Sequence, residues 1–83
     1  MSAVEVYWAE DEPGRGACRL PESWHLLIWE GQGWRVPRDV NGYEIRKGGF
    51  SRAAFAPLET SRLRLVVELR EGSEAAILEW RVR

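Results

Sequence analysis

The sequence predicts an all-β fold, a single antiparallel β-sandwich over residues 1–83, and three observations carry that reading. Apolar residues alternate at period two in one segment after another. Glycines and prolines fall between those segments, where tight connections need them. No stretch sustains the spacing of an amphipathic helix, so no helix longer than about two turns is expected.

The strands are placed at 3–8, 24–30, 34–36, 50–55, 62–69 and 76–82. In the first, Val4 and Val6 share a face with Trp8. The second puts Trp24, Leu26 and Ile28 on one face and His25, Leu27 and Trp29 on the other. Gly31 and Gly33 flank Gln32 in a tight turn to the Trp34 segment, and Gly48-Gly49 turns the chain into Phe50. In the fifth strand Leu63, Leu65, Val67 and Leu69 oppose Arg62, Arg64 and Glu68. The sixth repeats the pattern, with Ala76, Leu78, Trp80 and Val82 against Ile77, Glu79 and Arg81, and the fifth strand is its expected hairpin partner. Pro13, Pro21, Pro37 and Pro57 all lie outside these runs. The stretch 10–18, with its acidic run and Pro13-Gly14-Arg15-Gly16, is the most loop-like part of the chain.

A chain this short buries only roughly 60–65% of the surface exposed by its unfolded form, so its core must be economical. Leu63, Leu65, Val67, Leu78 and Trp80 are expected to be nearly fully buried, with Trp8 and Trp24 in the same core. Apolar residues make up 45% and charged residues 30%, the balance of a globular chain rather than a disordered one.

Twelve basic and thirteen acidic residues give a net charge of −1 with the signs interspersed, which argues against nucleic acid or an anionic membrane as partner. Cys18 has no second cysteine to pair with and reads as a small buried hydrophobe. A basic segment leading into an apolar run is not seen at the N-terminus, nor is a run of about 18 apolar residues seen anywhere, so neither a signal peptide nor a transmembrane segment is expected and the compartment stays open.

Catalysis is hard to assemble from these residues. His25 is the sole imidazole and sits inside a predicted strand, the serines lack a nucleophile elbow or a phosphate loop, and no catalytic residue is assigned. Calcium needs six to eight converging oxygens, which the Glu10-Asp11-Glu12 run does not supply by itself, so no metal and no cofactor are expected.

The five tryptophans are the unusual feature. An exposed indole stacks on the C–H face of a sugar ring, and Trp29 and Trp34, flanking the Gly31–Gly33 turn, are the two least committed to the core. Trp29, Trp34, His25 and Glu30 are therefore the candidate carbohydrate-binding residues. Cross-strand packing of the two indoles is favoured over sugar stacking, because cross-strand aromatic pairs stabilise hairpins by themselves.

The string LPESWHLLIWEGQGW (20–34) resembles the signature of the discoidin-like, galactose-binding-like modules at the C-terminus of bacterial β-L-arabinofuranosidase-type glycoside hydrolases: Leu-Pro-x-Ser-Trp, a hydrophobic strand, Asp-Gly, Trp. FSRAAFAPLETSRLRLVVELREGSEAAILEWRV (50–82) is similar to the same family's Phe-Asn-x-Val-x-Phe-x-Pro-Val, Leu-Arg-Leu and Ile-Leu-Glu-Trp pattern. VEVYWAEDEPGRGACRLP (4–21) resembles the strand and loop ahead of the signature, so nearly the whole chain is covered. Departures include Ser51-Arg52 where the family often has Asn, and Glu74-Ala75-Ala76 in place of its small turn.

The resemblance implies a jelly-roll sandwich lacking the module's first strands, which would precede Val4 together with the loops that often hold calcium or ligand. It also implies a parent (α/α)-barrel catalytic domain that carries the hydrolytic residues, none of which has a counterpart here. The expectation is a non-catalytic accessory module of a carbohydrate-active protein, structural or weakly carbohydrate-binding, with that parent domain, a weak sugar or a homo-oligomer as partner. The alternative is a self-associating or protein-binding β module with no sugar ligand, in which an incomplete sandwich leaves an apolar face to be covered.

Overall fold

The computed structural model describes residues 1–12 and 14–83 and contains six strands and no helix among them. They are β1 (Ala3–Trp8), β2 (Ser23–Glu30), β3 (Gly33–Arg35), β4 (Phe50–Ala54), β5 (Leu63–Glu68) and β6 (Ile77–Val82). Every predicted strand is present, with ends within a residue of expectation. The predicted turn at Pro13 falls outside the described residues.

The strands form two antiparallel three-stranded sheets, ordered β4-β1-β6 and β3-β2-β5. This is a small β-sandwich. Its two central strands, β1 and β2, supply most of the core: Val4, Val6 and Trp8 from one sheet meet Trp24 and Leu26 from the other, with Ala53 and Phe55 closing the β4 side. The alternation explains the arrangement, since all of these β1 and β2 residues occupy the inward positions of their strands. Burying one such aliphatic side chain contributes about 1.5–3 kcal/mol. Trp24 is held edge-on to Trp8 and Tyr43, and its Nε1–H donates to the Glu44 carbonyl at 2.8 Å, which ties the 41–45 segment over the core. Among the described residues, Ser51 of β4 is the fully buried polar one. Its Oγ accepts the Arg46 amide at 2.8 Å, so its burial leaves no acceptor unsatisfied.

Two expectations are corrected. β6 does not form a hairpin with β5; it pairs with β1 in the opposite sheet, while β5 pairs with β2. The β2–β5 register sets Trp24 against Val67, Leu26 against Leu65 and Ile28 against Leu63, so β5's apolar face is matched to β2. Residues 69–76 then cross from one sheet to the other, anchored by the Arg19 amide donating to Glu74 and the Glu74 amide donating to Ala17.

The second correction concerns burial. Leu63, Leu65 and Val67 are half-buried at the border of the core, whereas Leu78 and Trp80 are 68% and 44% exposed. The reason is position. β6 is the outer strand of its sheet, and the core cluster includes none of its residues.

Candidate functional site

Trp29 and Trp34 stand directly opposite one another in the β2–β3 register. Their rings meet edge to face, 5.3 Å apart and inclined by 74°, on the outer face of the β3-β2-β5 sheet. β5 presents its own outer face alongside. The Arg62 guanidinium lies 5.3 Å from the Trp29 ring centre, and that of Arg64, which pairs with Leu27 in register, reaches across β2 to within 4.2 Å of the Trp34 ring. The Thr60 hydroxyl donates to the Trp29 carbonyl at 2.8 Å and fixes the chain leading into β5. The result is a half-buried aromatic patch with two guanidinium groups, whose cation–π contacts contribute about 0.5–1 kcal/mol each where exposed.

Only these two of the four candidate residues come together. His25 shares the outer face, but four residues along a strand separate it from Trp29 by roughly 13 Å at about 3.3 Å per residue. Its ring neighbours Tyr43, with centroids 6.4 Å apart. Glu30 follows the opposite parity and continues the inward side of β2. There it pairs with Arg35, which lies opposite Ile28 in register, at the rim of a hollow of about 230 Å³ shared with Arg38, Ala56, Pro57 and Leu58. The alternation visible in the sequence already separated Glu30 from Trp29. The part played by Arg62 and Arg64 needed the β2–β5 pairing, which the sequence does not announce.

The acidic loop is occupied by its own contacts. The Asp11 carboxylate accepts the Cys18 amide at 3.0 Å while the Asp11 amide donates to the Cys18 carbonyl at 2.9 Å, which closes the base of the loop. A Cβ at Gly16 would meet the Asp11 carboxylate, so a side chain there would have to displace that carboxylate from the Cys18 amide. Glu10 pairs with Lys47 and Glu12 with Arg15, both at 3.5 Å. Among the described residues no group of three or more His, Cys, Asp or Glu side chains is placed to hold a metal ion. Cys18 is half-buried, and burial together with the Asp11 charge pushes its thiol above the ordinary value, away from a reactive thiolate.

A second charged cluster lies on the outer face of the other sheet. Glu5 accepts Arg83 Nε at 2.8 Å and has Arg81 at 3.5 Å and Arg52 at 3.8 Å. The Arg83 hydrogen bond, seconded by the charges of all three arginines, holds its carboxyl below the ordinary value of 4.5 against the opposing effect of partial burial. Arg81 also lies over the Phe50 ring, 3.7 Å from its centre. Comparison with known proteins finds no family model, no curated relative and no solved structure that matches this chain.

Proposed function

We propose that this chain is a non-catalytic accessory module of a carbohydrate-active protein, a jelly-roll sandwich of the galactose-binding-like kind with a weak sugar-binding face. The observation that supports this most is the Trp29–Trp34 patch, two half-buried indoles on the outer face of a sheet with Arg62 and Arg64 beside them. Indole faces stack on sugar C–H surfaces and guanidinium groups donate to sugar hydroxyls. The strings 20–34 and 50–82 lend the family reading its weight.

A patch without walls encloses little of a ligand, so dissociation constants near 1 mM, about −4 kcal/mol, are expected. Titration with arabinose- and galactose-containing oligosaccharides tests this, with tryptophan fluorescence and backbone amide shifts as readouts. Saturable shifts at Trp29, Trp34 and Arg64 support the reading. Shifts confined to 10–18, or none at high millimolar sugar, reject the patch as a sugar site.

A second reading, a self-associating or protein-binding β module with no sugar ligand, is favoured by a separate observation. Ile77, Leu78, Trp80 and Val82 of β6 are all more than 40% exposed. Contiguous apolar surface at a sheet edge marks an association site.

A further inference from the structure

We propose that β6 pairs antiparallel with β6 of a second copy of this chain about a two-fold axis through Trp80, joining the two β4-β1-β6 sheets into one. The proposal deepens the reading of β6 as an association surface and supplies its partner and register.

Main-chain geometry comes first. Arg83 exchanges hydrogen bonds with Ala3, its amide donating at 2.8 Å and its carbonyl accepting at 3.3 Å. In an antiparallel ladder such pairs recur at every second residue, so Arg81 and Glu79 also turn their amides and carbonyls toward β1. Those of Val82 and Trp80 therefore point away from the sheet, along an edge that no other strand among the described residues covers, as far as the register shift between Tyr7 and Trp8, which falls at Leu78. An edge of this kind is a template for another strand.

Side chains then select the partner and the register. Strands paired about a two-fold axis place residues opposite one another whose numbers sum to a constant, and that constant must be even for opposed residues to share a face. With the axis at Trp80, Leu78 meets Val82 of the partner subunit, Trp80 meets its own copy, and Glu79 meets Arg81 of the partner subunit, twice. With the axis one residue earlier Glu79 opposes its own copy, and one residue later Arg81 does. Only the Trp80-centred register among these three joins apolar to apolar and opposite charge to opposite charge, and like charges directly opposed on strands are destabilising.

The isolated chain leaves Glu79 exposed and without an ion pair among the described residues. Arg81 is held by Glu5 at 3.5 Å and lies over Phe50 with its Nε buried, so pairing with Glu79 of the partner subunit draws on its remaining guanidinium donors. Leu78, Trp80 and Val82, at 68%, 44% and 48% exposure, are the apolar half of the same edge. Because the strand is complementary to itself, a second copy satisfies the apolar residues and the charges together.

Sedimentation velocity of the full chain from about 10 μM to about 1 mM is the test, a range that brackets weak and moderate dimers. A concentration-dependent dimer is expected. Glu79→Arg sets guanidinium against guanidinium and should weaken that dimer by at least about ten-fold, the size of a lost charge pair with added repulsion, while leaving the circular dichroism and thermal unfolding of the monomer unchanged. In a Cys18→Ser background, Trp80→Cys should cross-link to its own copy under mild oxidation, whereas Glu79→Cys should not. A chain that stays monomeric to about 1 mM overturns both the proposal and the association reading beneath it. A dimer indifferent to Glu79→Arg, or one in which Trp80→Cys fails to cross-link, overturns the two-fold register while leaving association through another surface standing.

Discussion

β2 and β6 carry almost the same pattern of alternating apolar residues, yet one is the centre of the core and the other is exposed on most of its length. Trp24, Leu26 and Ile28 of β2 are buried to within 2% of completely. In β6 Leu78, Trp80 and Val82 are all more than 40% exposed. The difference is not in local preference, since both segments form strands. β2 has a neighbour on each side and a facing sheet, whereas β6 has β1 on one side only. Alternation reports which residues share a face; it does not report whether anything covers that face.

Substitutions of one residue type in the two strands test this most sharply. Leu26→Ala should cost about 2–5 kcal/mol in denaturant unfolding, the range for a fully buried leucine. Leu78→Ala should stay near about 0.5 kcal/mol when measured at a concentration where the chain is monomeric. Equal losses would show that β6 is covered in solution even in the monomer.

Next in size is Trp24→Phe, which keeps the edge-on ring packing but removes the Nε1–H that the Glu44 carbonyl accepts. A lost hydrogen bond that leaves a partly buried group unsatisfied costs about 1–3 kcal/mol, and amide exchange should accelerate through 41–45 before the rest of the chain. Uniform acceleration instead would mean that this segment is secured elsewhere.

Smaller again is the coupling between Trp29 and Trp34. A double-mutant cycle with Trp29→Ala and Trp34→Ala should return about 0.5–1.5 kcal/mol, the worth of an aromatic pair beyond its buried area. A coupling near zero would separate the two indoles energetically and favour a ligand role for them over a hairpin clasp.

The smallest effect is at Glu5. Its folded value is depressed, so its contribution to stability is fully present above 4.5 and is lost as pH falls through the lower folded value. Glu5→Gln should therefore lie below the unsubstituted chain near neutral pH and converge with it as the solution is acidified below 4.5. Parallel curves would mean that the three arginines do not act on this carboxylate.

The elements and faces of this molecule were legible in its sequence, because a strand's alternation is a local property that survives into the fold. β1, β2 and β4 show this, as do the Gly31 turn and the placement of Pro21, Pro37 and Pro57. Partner choice was not legible. The alternation of β5 is satisfied equally by β6 or β2, and only the packing of Leu63, Leu65 and Val67 against the core, with the crossing at Glu74, decides between them. The candidate site divides along the same line. Trp29 and Trp34 meet because a short turn fixes their register, whereas Arg62 and Arg64 reach them through a pairing between distant parts of the chain.

The sheet order also carries a kinetic consequence. β2 and β3 are joined by a tight turn, but β1 pairs with β4, about half the chain away, and with β6, at the far end of it. Loop closure over such distances precedes any reward from contact, and folds dominated by non-local pairs reach the native state in milliseconds to seconds, whereas a hairpin closes in about 1–10 μs. The Trp29–Trp34 hairpin is therefore expected to be in place first, and β1, although made early in synthesis, must wait for β6 before its sheet is complete. Until then the edge of β1 that β6 covers is an unpaired row of amides and carbonyls, which makes the interval before β6 arrives the one in which this chain is most prone to aggregate.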